Sequence, residues 1–293
     1  MAFNWQTFKT RTLTAAVFVV VMMAGLLINQ WTFFLLFSVI HFGCWWEYLK
    51  LVEKIRQTTF NHYLKLGLMV IGYGLVIWFC GPTYTINGYG LRENISLPVS
   101  LSGFVLLVVG IFHRRKIDLK SFGSAFGGLI YISLSLALMM NLYGPVQLNF
   151  HDRTQIVAPA YFYPASIIAS LWINDTMAYI IGSLIGRTQM SRISPKKTWE
   201  GTIGGIVFCV AVIFVLARYV LSFGIWSYDL AAIAFIVAIT GTLGDLLESK
   251  LKRMANVKDS GHIMPGHGGF LDRFDSLLIA TPFVWLFVQL FVA

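Results

Sequence analysis

Nine apolar stretches, each long enough to cross a bilayer, decide what this chain can fold into. Their centres fall near Val20, Phe37, Gly72, Val105, Ser133, Trp172, Val210, Ile236 and Val284. Each runs to roughly 18–22 residues, the length a helix needs to span the hydrocarbon core. No water is available there to satisfy backbone N–H and C=O groups, so such a run folds as a helix. Charged residues make up only 12% of the chain, against about 25% in a soluble domain. The expectation is an all-α, polytopic integral membrane protein with about nine transmembrane helices. No internal repeat or low-complexity segment interrupts residues 1–293, which read as a single membrane domain. Lys9 and Arg11 precede the first run, as in a signal peptide. No small-residue cleavage site follows, so that run reads as an uncleaved anchor.

The net charge of +9 reports orientation before it reports a nucleic-acid partner, because Lys and Arg collect on the cytoplasmic side of membrane proteins. Nineteen of the 22 basic residues lie in the N-terminal tail and in alternate loops: Lys50–Lys65, Arg114–Lys120, Arg187–Lys197 and Lys250–Arg273. The opposite connections hold only Arg92, Arg153 and Arg218. The N-terminus and the basic loops are therefore expected in the cytoplasm and the C-terminus outside. The chain's size and lack of extra domains point to a bacterial inner membrane. Cys44, Cys80 and Cys209 lie in apolar runs. They read as small buried hydrophobes, without metal-ligand or disulfide spacing.

Polar residues inside or beside the spans are costly and mark candidate sites. Asp175, Tyr179, Gly182 and Gly186 stand at i, i+4, i+7 and i+11, one helix face, whose glycines permit close packing. The loop Ser194-Pro195-Lys196-Lys197-Thr198 offers donors suited to phosphate. Asp245, Ser249 and Lys252, at i, i+4 and i+7, put a carboxylate, a hydroxyl and an ammonium on one stripe, with Glu248 beside it. The densest stretch is Ser249–Asp275, with five cations (Lys250, Lys252, Arg253, Lys258, Arg273), the carboxylates Asp259, Asp272 and Asp275, and His267 among glycines that include Gly268 and Gly269. Carboxylates hold a hard cation such as Mg²⁺, Lys and Arg take phosphate oxygens, and glycines let backbone N–H groups approach an anion. Neither Gly-x-x-x-x-Gly-Lys-Ser/Thr nor Gly-x-Gly-x-x-Gly is present, so neither common nucleotide-binding fold is indicated.

The stretch from Ser249 to Asp275 resembles the signature of the phosphatidate cytidylyltransferases, also called CDP-diacylglycerol synthases. It matches throughout, with Met264 where Ile, Leu or Phe is usual. The Asp175–Gly186 face, the Ser194–Gly201 loop and Trp46-Glu47-Tyr48 also resemble recurrent segments of that family, and the specific match covers about residues 172–276. The resemblance implies that CTP and phosphatidic acid give CDP-diacylglycerol and pyrophosphate with Mg²⁺, a second cation and a homodimer being left open. On that reading Asp245, Asp272 and Asp275 hold metal. Lys196, Lys197, Lys252, Arg253, Lys258 and Arg273 contact phosphates, while Ser194, Ser249 and His267 orient. Asp175, Tyr179, Thr198, Gly268 and Gly269 line the substrate site. Two other classes stay open at this point: a CTP-dependent kinase of a lipid alcohol, and an ion-coupled transporter. Against the transporter, the charge is one-sided and no paired repeat halves are visible.

Overall fold

The computed structural model describes residues 5–113, 118–149, 155–221, 226–261, 263 and 268–292. The helices are α1 (Trp5–Leu27), α2 (Gln30–Arg56), α3 (His62–Trp78), α4 (Leu91–Asn94), α5 (Ser96–Phe112), α6 (Leu119–Phe126), α7 (Ser135–Leu142), α8 (Phe162–Ile185), α9 (Trp199–Val215), α10 (Trp226–Met254) and α11 (Leu271–Phe287). π-Helical turns at Leu129–Leu134, Leu216–Val220 and Val288–Val292 join α6 to α7 and extend α9 and α11. The strands form two small antiparallel hairpins, β1 (Thr85–Ile86) with β2 (Tyr89–Gly90) and β3 (Val146–Asn149) with β4 (Gln155–Ala158). The fold is all-α and polytopic, as expected. Among the described residues, seven helical stretches are long and apolar enough to cross a membrane: Gln30–Arg56, Leu91–Phe112, Leu119–Leu142, Phe162–Ile185, Trp199–Val220, Trp226–Met254 and Leu271–Val292. The other two expected spans fall in α1, apolar over Thr12–Leu27, and in the shorter α3, His62–Trp78. At 17 residues, α3 is about 26 Å long, just short of the ~30 Å core.

The chain forms two compact units. The first comprises Met1–Asn141 and Leu251–Phe274. Its longest helix, α2, begins at a capping box: Asn29 Oδ1 accepts from the Trp31 and Thr32 amides at 2.9 Å, and Thr32 Oγ1 accepts from the Asn29 amide at 3.2 Å. These bonds satisfy N–H groups that the helix cannot. Helices α3 and α5 meet backbone to backbone. A Cβ at Gly67 would lie 2.6 Å from the Leu107 amide nitrogen, and one at Gly103 or Gly110 would lie 2.5 Å from the Ile71 or Leu64 nitrogen. Lipid removes the hydrophobic drive for helix association, so small residues and close contact supply the attraction. Polar groups meet in the core of α2 where the Trp45 indole donates to Ser133 Oγ at 2.8 Å and His41 Nε2 lies 3.1 Å from it.

The second unit comprises Leu142–Lys250 and Asp275–Ala293. In it α8 lies against α9, with Gly201 and Gly205 facing Ala178 and the buried Cys209 thiol on the Ser170 carbonyl at 3.2 Å. Gly244 of α10 meets the backbone of α11, and a Cβ there would lie 2.6 Å from the Asp275 carbonyl oxygen.

Candidate active site

In the second unit, α8, α9, α10 and the loop before α9 surround a cavity of ≈ 370 Å³. Its lining includes Asn174, Asp175, Tyr179 and Gly182 from α8, Lys196, Lys197 and Thr198 from the loop, Thr202 from α9, and Thr242 and Asp245 from α10. The loop is tied down locally. Glu200 accepts from the Arg187 and Thr188 amides at 3.2 and 3.1 Å, and the Met190 and Trp199 amides donate to the Lys197 and Thr188 carbonyls at 2.9 Å. Thr198 caps α9 by accepting from the Gly201 amide at 3.1 Å. A turn from Ser194 to Lys197, closed by a 3.1 Å backbone bond, presents the two lysines.

The cavity brings together Asp175, Tyr179, Lys196, Lys197, Thr198 and Asp245 of the sequence-derived set. Lys197 forms an ion pair with Asp245, both side chains being about a quarter to a third exposed. Asp175 is an exposed wall residue. Ser194 lies outside the lining, within the turn that carries the lysines. Asn174 is missing from the sequence reading. It is 2% exposed and lines the cavity, and its Oδ1 has no hydrogen-bond partner among the described residues.

Beside Asp245 on α10 stand Ser249, whose hydroxyl donates to Asp245 Oδ1 at 3.3 Å, and the fully buried Glu248. Asp245, Glu248 and Asp275 place carboxylate oxygens within 4.8 Å of one another, the candidate metal-holding group among the described residues. Asp275 is 7% exposed and takes the Ser276 amide at 2.7 Å. Gathering three acids with so little water is costly unless a cation or proton offsets their charge. An all-oxygen donor set suits a hard divalent ion. Glu248 was passed over because it stands one position off the Asp245–Ser249–Lys252 stripe. An acidic residue in an apolar helix was the signal that could have found it.

In the first unit the signature residues make a second group. Lys252 and Asp272 form an ion pair at 2.7 Å with side chains only 13% and 9% exposed. The other Asp272 oxygen accepts from the Ser260 amide and hydroxyl, both at 2.9 Å, and from the Gly269 amide at 2.8 Å. Asp272 was expected to hold metal. The structure engages it with Lys252 and the loop, and Glu248 stands in the three-carboxylate group. Gly268 has φ +85°, and a Cβ there would lie 2.6 Å from Asp272 Oδ2, so both its conformation and its space call for glycine. Arg253 donates to the Val257 carbonyl at 3.3 Å. Lys258 lines a polar cavity with Lys50 and Lys54, and Arg273 is exposed on the first turn of α11. His267 lies outside the described residues, as do Arg114, Arg115, Lys116 and Arg153.

Comparison with known proteins bears on both groups. A model of the "cytidylyltransferase family" matches residues 9–291. The phosphatidate cytidylyltransferase of Thermotoga maritima is 31% identical, covering 94% of this chain and 93% of its own length. That of Staphylococcus aureus (strain COL) is 37% identical, covering 75% of this chain and 89% of its own. The chloroplastic phosphatidate cytidylyltransferase 4 of Arabidopsis thaliana is 34% identical over 67% of this chain, and the match spans about half (53%) of the plant protein. A family match that takes in both the cavity and the signature leaves one placement: the chain belongs to the cytidylyltransferase family.

Proposed function

We propose that this chain is an integral membrane nucleotidyltransferase that forms CDP-diacylglycerol and pyrophosphate from CTP and phosphatidic acid, the activity for which its relatives are named. An oxygen of the lipid phosphate attacks the α-phosphorus of CTP, and the bond to the β-phosphate breaks. The nucleophile is already an anion, so no Ser or Cys need be activated. The obstacle is repulsion between two polyanions, which fixed cations relieve. Three carboxylates of one unit, Asp245, Glu248 and Asp275, carry this reading. They share a unit with the Lys196–Lys197 cavity, where a transfer between phosphates needs both a metal holder and cations.

Asp245, Asp275 and Glu248 would hold Mg²⁺. When bound, the ion would screen phosphate charge and stabilise the leaving pyrophosphate. Lys197 neutralises Asp245 and is placed to exchange that partner for a phosphate oxygen. Lys196 adds a second cation to the cavity, and Thr198 fixes the helix start behind both. Asp272 holds Lys252 in a set orientation, and Lys258 and Arg273 add further contacts to phosphate. The basic loops and the site face the cytoplasm, where CTP is found, and the C-terminus lies outside.

The test is stoichiometry. Purified chain given Mg²⁺, CTP and phosphatidic acid should release one pyrophosphate per CDP-diacylglycerol formed and none without the lipid. Pyrophosphate release that ignores phosphatidic acid would defeat the proposal. Reporters fused after Arg92 and Lys258 should lie on opposite sides of the membrane, and the same side for both would overturn the orientation.

A further inference from the structure

Glu47 is an acid in the middle of an apolar helix, and it is 2% exposed. Its partners lie more than 200 residues along the chain, in the same unit. Oε1 accepts from the Phe270 amide at 3.0 Å, and Oε2 accepts from the Leu271 amide at 2.9 Å and the Ser260 hydroxyl at 2.7 Å. Leu271 opens α11, so Glu47 serves as its N-terminal cap. Its carboxylate takes N–H groups that the helix leaves unpaired, at the end where the helix dipole favours negative charge. Charge-assisted bonds in a site this dry are the strong kind.

The surroundings are cut to fit that carboxylate. A Cβ on Gly261 or Gly269 would collide with the Glu47 carboxyl group, and one on Gly43, a turn earlier on α2, would lie 2.5 Å from the Phe270 ring. Two glycines of the Ser249–Asp275 signature are thus explained by a residue outside it. Ser260 joins Glu47 to Asp272. Its hydroxyl lies within 2.9 Å of both carboxylates, and its single proton serves one of them at a time, while its amide stays on Asp272. Asp272 in turn holds Lys252.

We propose that Glu47 is a positioning residue for the reaction. Through Ser260 and the start of α11, it sets where Asp272, Lys252 and Arg273 stand. This rests on the cytidylyltransferase reading. Glu47→Gln keeps the volume but turns an NH₂ group toward an amide N–H or the Ser260 hydroxyl, so the loop shifts. A misplacement of about 1 Å at a reacting centre costs roughly 10²-fold in rate.

The experiment compares purified wild type, Glu47→Gln and Ser260→Ala for kcat and KM of each substrate, thermal unfolding in detergent, and hydrogen exchange of the 260–275 segment. The expected result for Glu47→Gln is a kcat roughly 10²-fold lower, with KM for phosphatidic acid nearly unchanged and faster exchange at Phe270 and Leu271. Ser260→Ala, which leaves the amide bonds intact, should lose a smaller factor and stay folded. Should Glu47→Gln fail to fold, Ser260→Ala decides: lowered kcat with faster exchange supports the proposal, and wild-type values overturn it. Wild-type kcat in Glu47→Gln, or a fall in unfolding temperature with kcat unchanged, also overturns it. A wild type without CDP-diacylglycerol synthesis would count against the reaction, while hydrogen exchange would still read whether Glu47 holds the loop.

Discussion

Gly244→Ala adds one methyl group where α10 meets α11, at the residue before Asp245 of the three-carboxylate group. The new Cβ would lie 2.6 Å from the Asp275 carbonyl oxygen and 2.9 Å from Ser276 Cα, both backbone atoms. Ordinary contact begins near 3.5 Å, so α11 must yield by about 0.9 Å. Overpacking of this kind costs about 1–3 kcal/mol. Alanine returns about 1 kcal/mol through helix propensity, which leaves a net loss of about 0–2 kcal/mol. The catalytic effect should be much larger, because the atom displaced belongs to Asp275, and a shift near 1 Å costs about 10²-fold. Gly241→Ala is the control, since its nearest neighbour is the end of the Leu171 side chain, which can turn away. Thermal unfolding and CDP-diacylglycerol synthesis are measured for both variants in detergent. Activity within threefold of wild type in Gly244→Ala would refute the claim that this helix contact sets the carboxylate geometry.

Three further outcomes follow from the geometry. Asp245→Asn and Asp275→Asn should each fold and lose at least about 10²-fold in kcat, with Mg²⁺ dependence shifted to higher concentration. Wild-type Mg²⁺ titrations would remove either residue from the metal group. Lys197→Gln should insert normally, because other basic loops keep the topology, yet lose most turnover, and normal kinetics would return this lysine to a structural role at Asp245. Thr198→Ala should destabilise the protein by about 1 kcal/mol as a lost N-cap, read by thermal unfolding, and a wild-type unfolding temperature would refute that role.

Much of this was legible in the sequence because lipid leaves few options. Nine apolar runs had to be helices, and each expected centre falls in one. The limit lay in length: α3, at 17 residues, is shorter than the full span its apolar run suggested. Helical periodicity correctly brought Asp175 and Tyr179 to one wall, since spacing along one helix is a local property. What joined different helices was hidden. Nothing local says that Glu47 caps a helix beginning at Leu271, or that Asp272 turns to Lys252 while Glu248 joins Asp245 and Asp275. Those choices depend on which backbones approach closely, and glycines such as Gly244 and Gly269 mark the places without naming the partner.

The most direct test of the central claim uses CTP labelled at either the α- or the γ-phosphate, with purified chain, Mg²⁺ and phosphatidic acid in detergent. Attack at the α-phosphorus puts α-label into the lipid and sends γ-label out in pyrophosphate, and Asp245→Asn should stop both. A lipid-alcohol kinase, offered its alcohol, would put γ-label into the lipid and release CDP. Lipid labelled only from the γ-position, or no transfer from either position, would contradict the account.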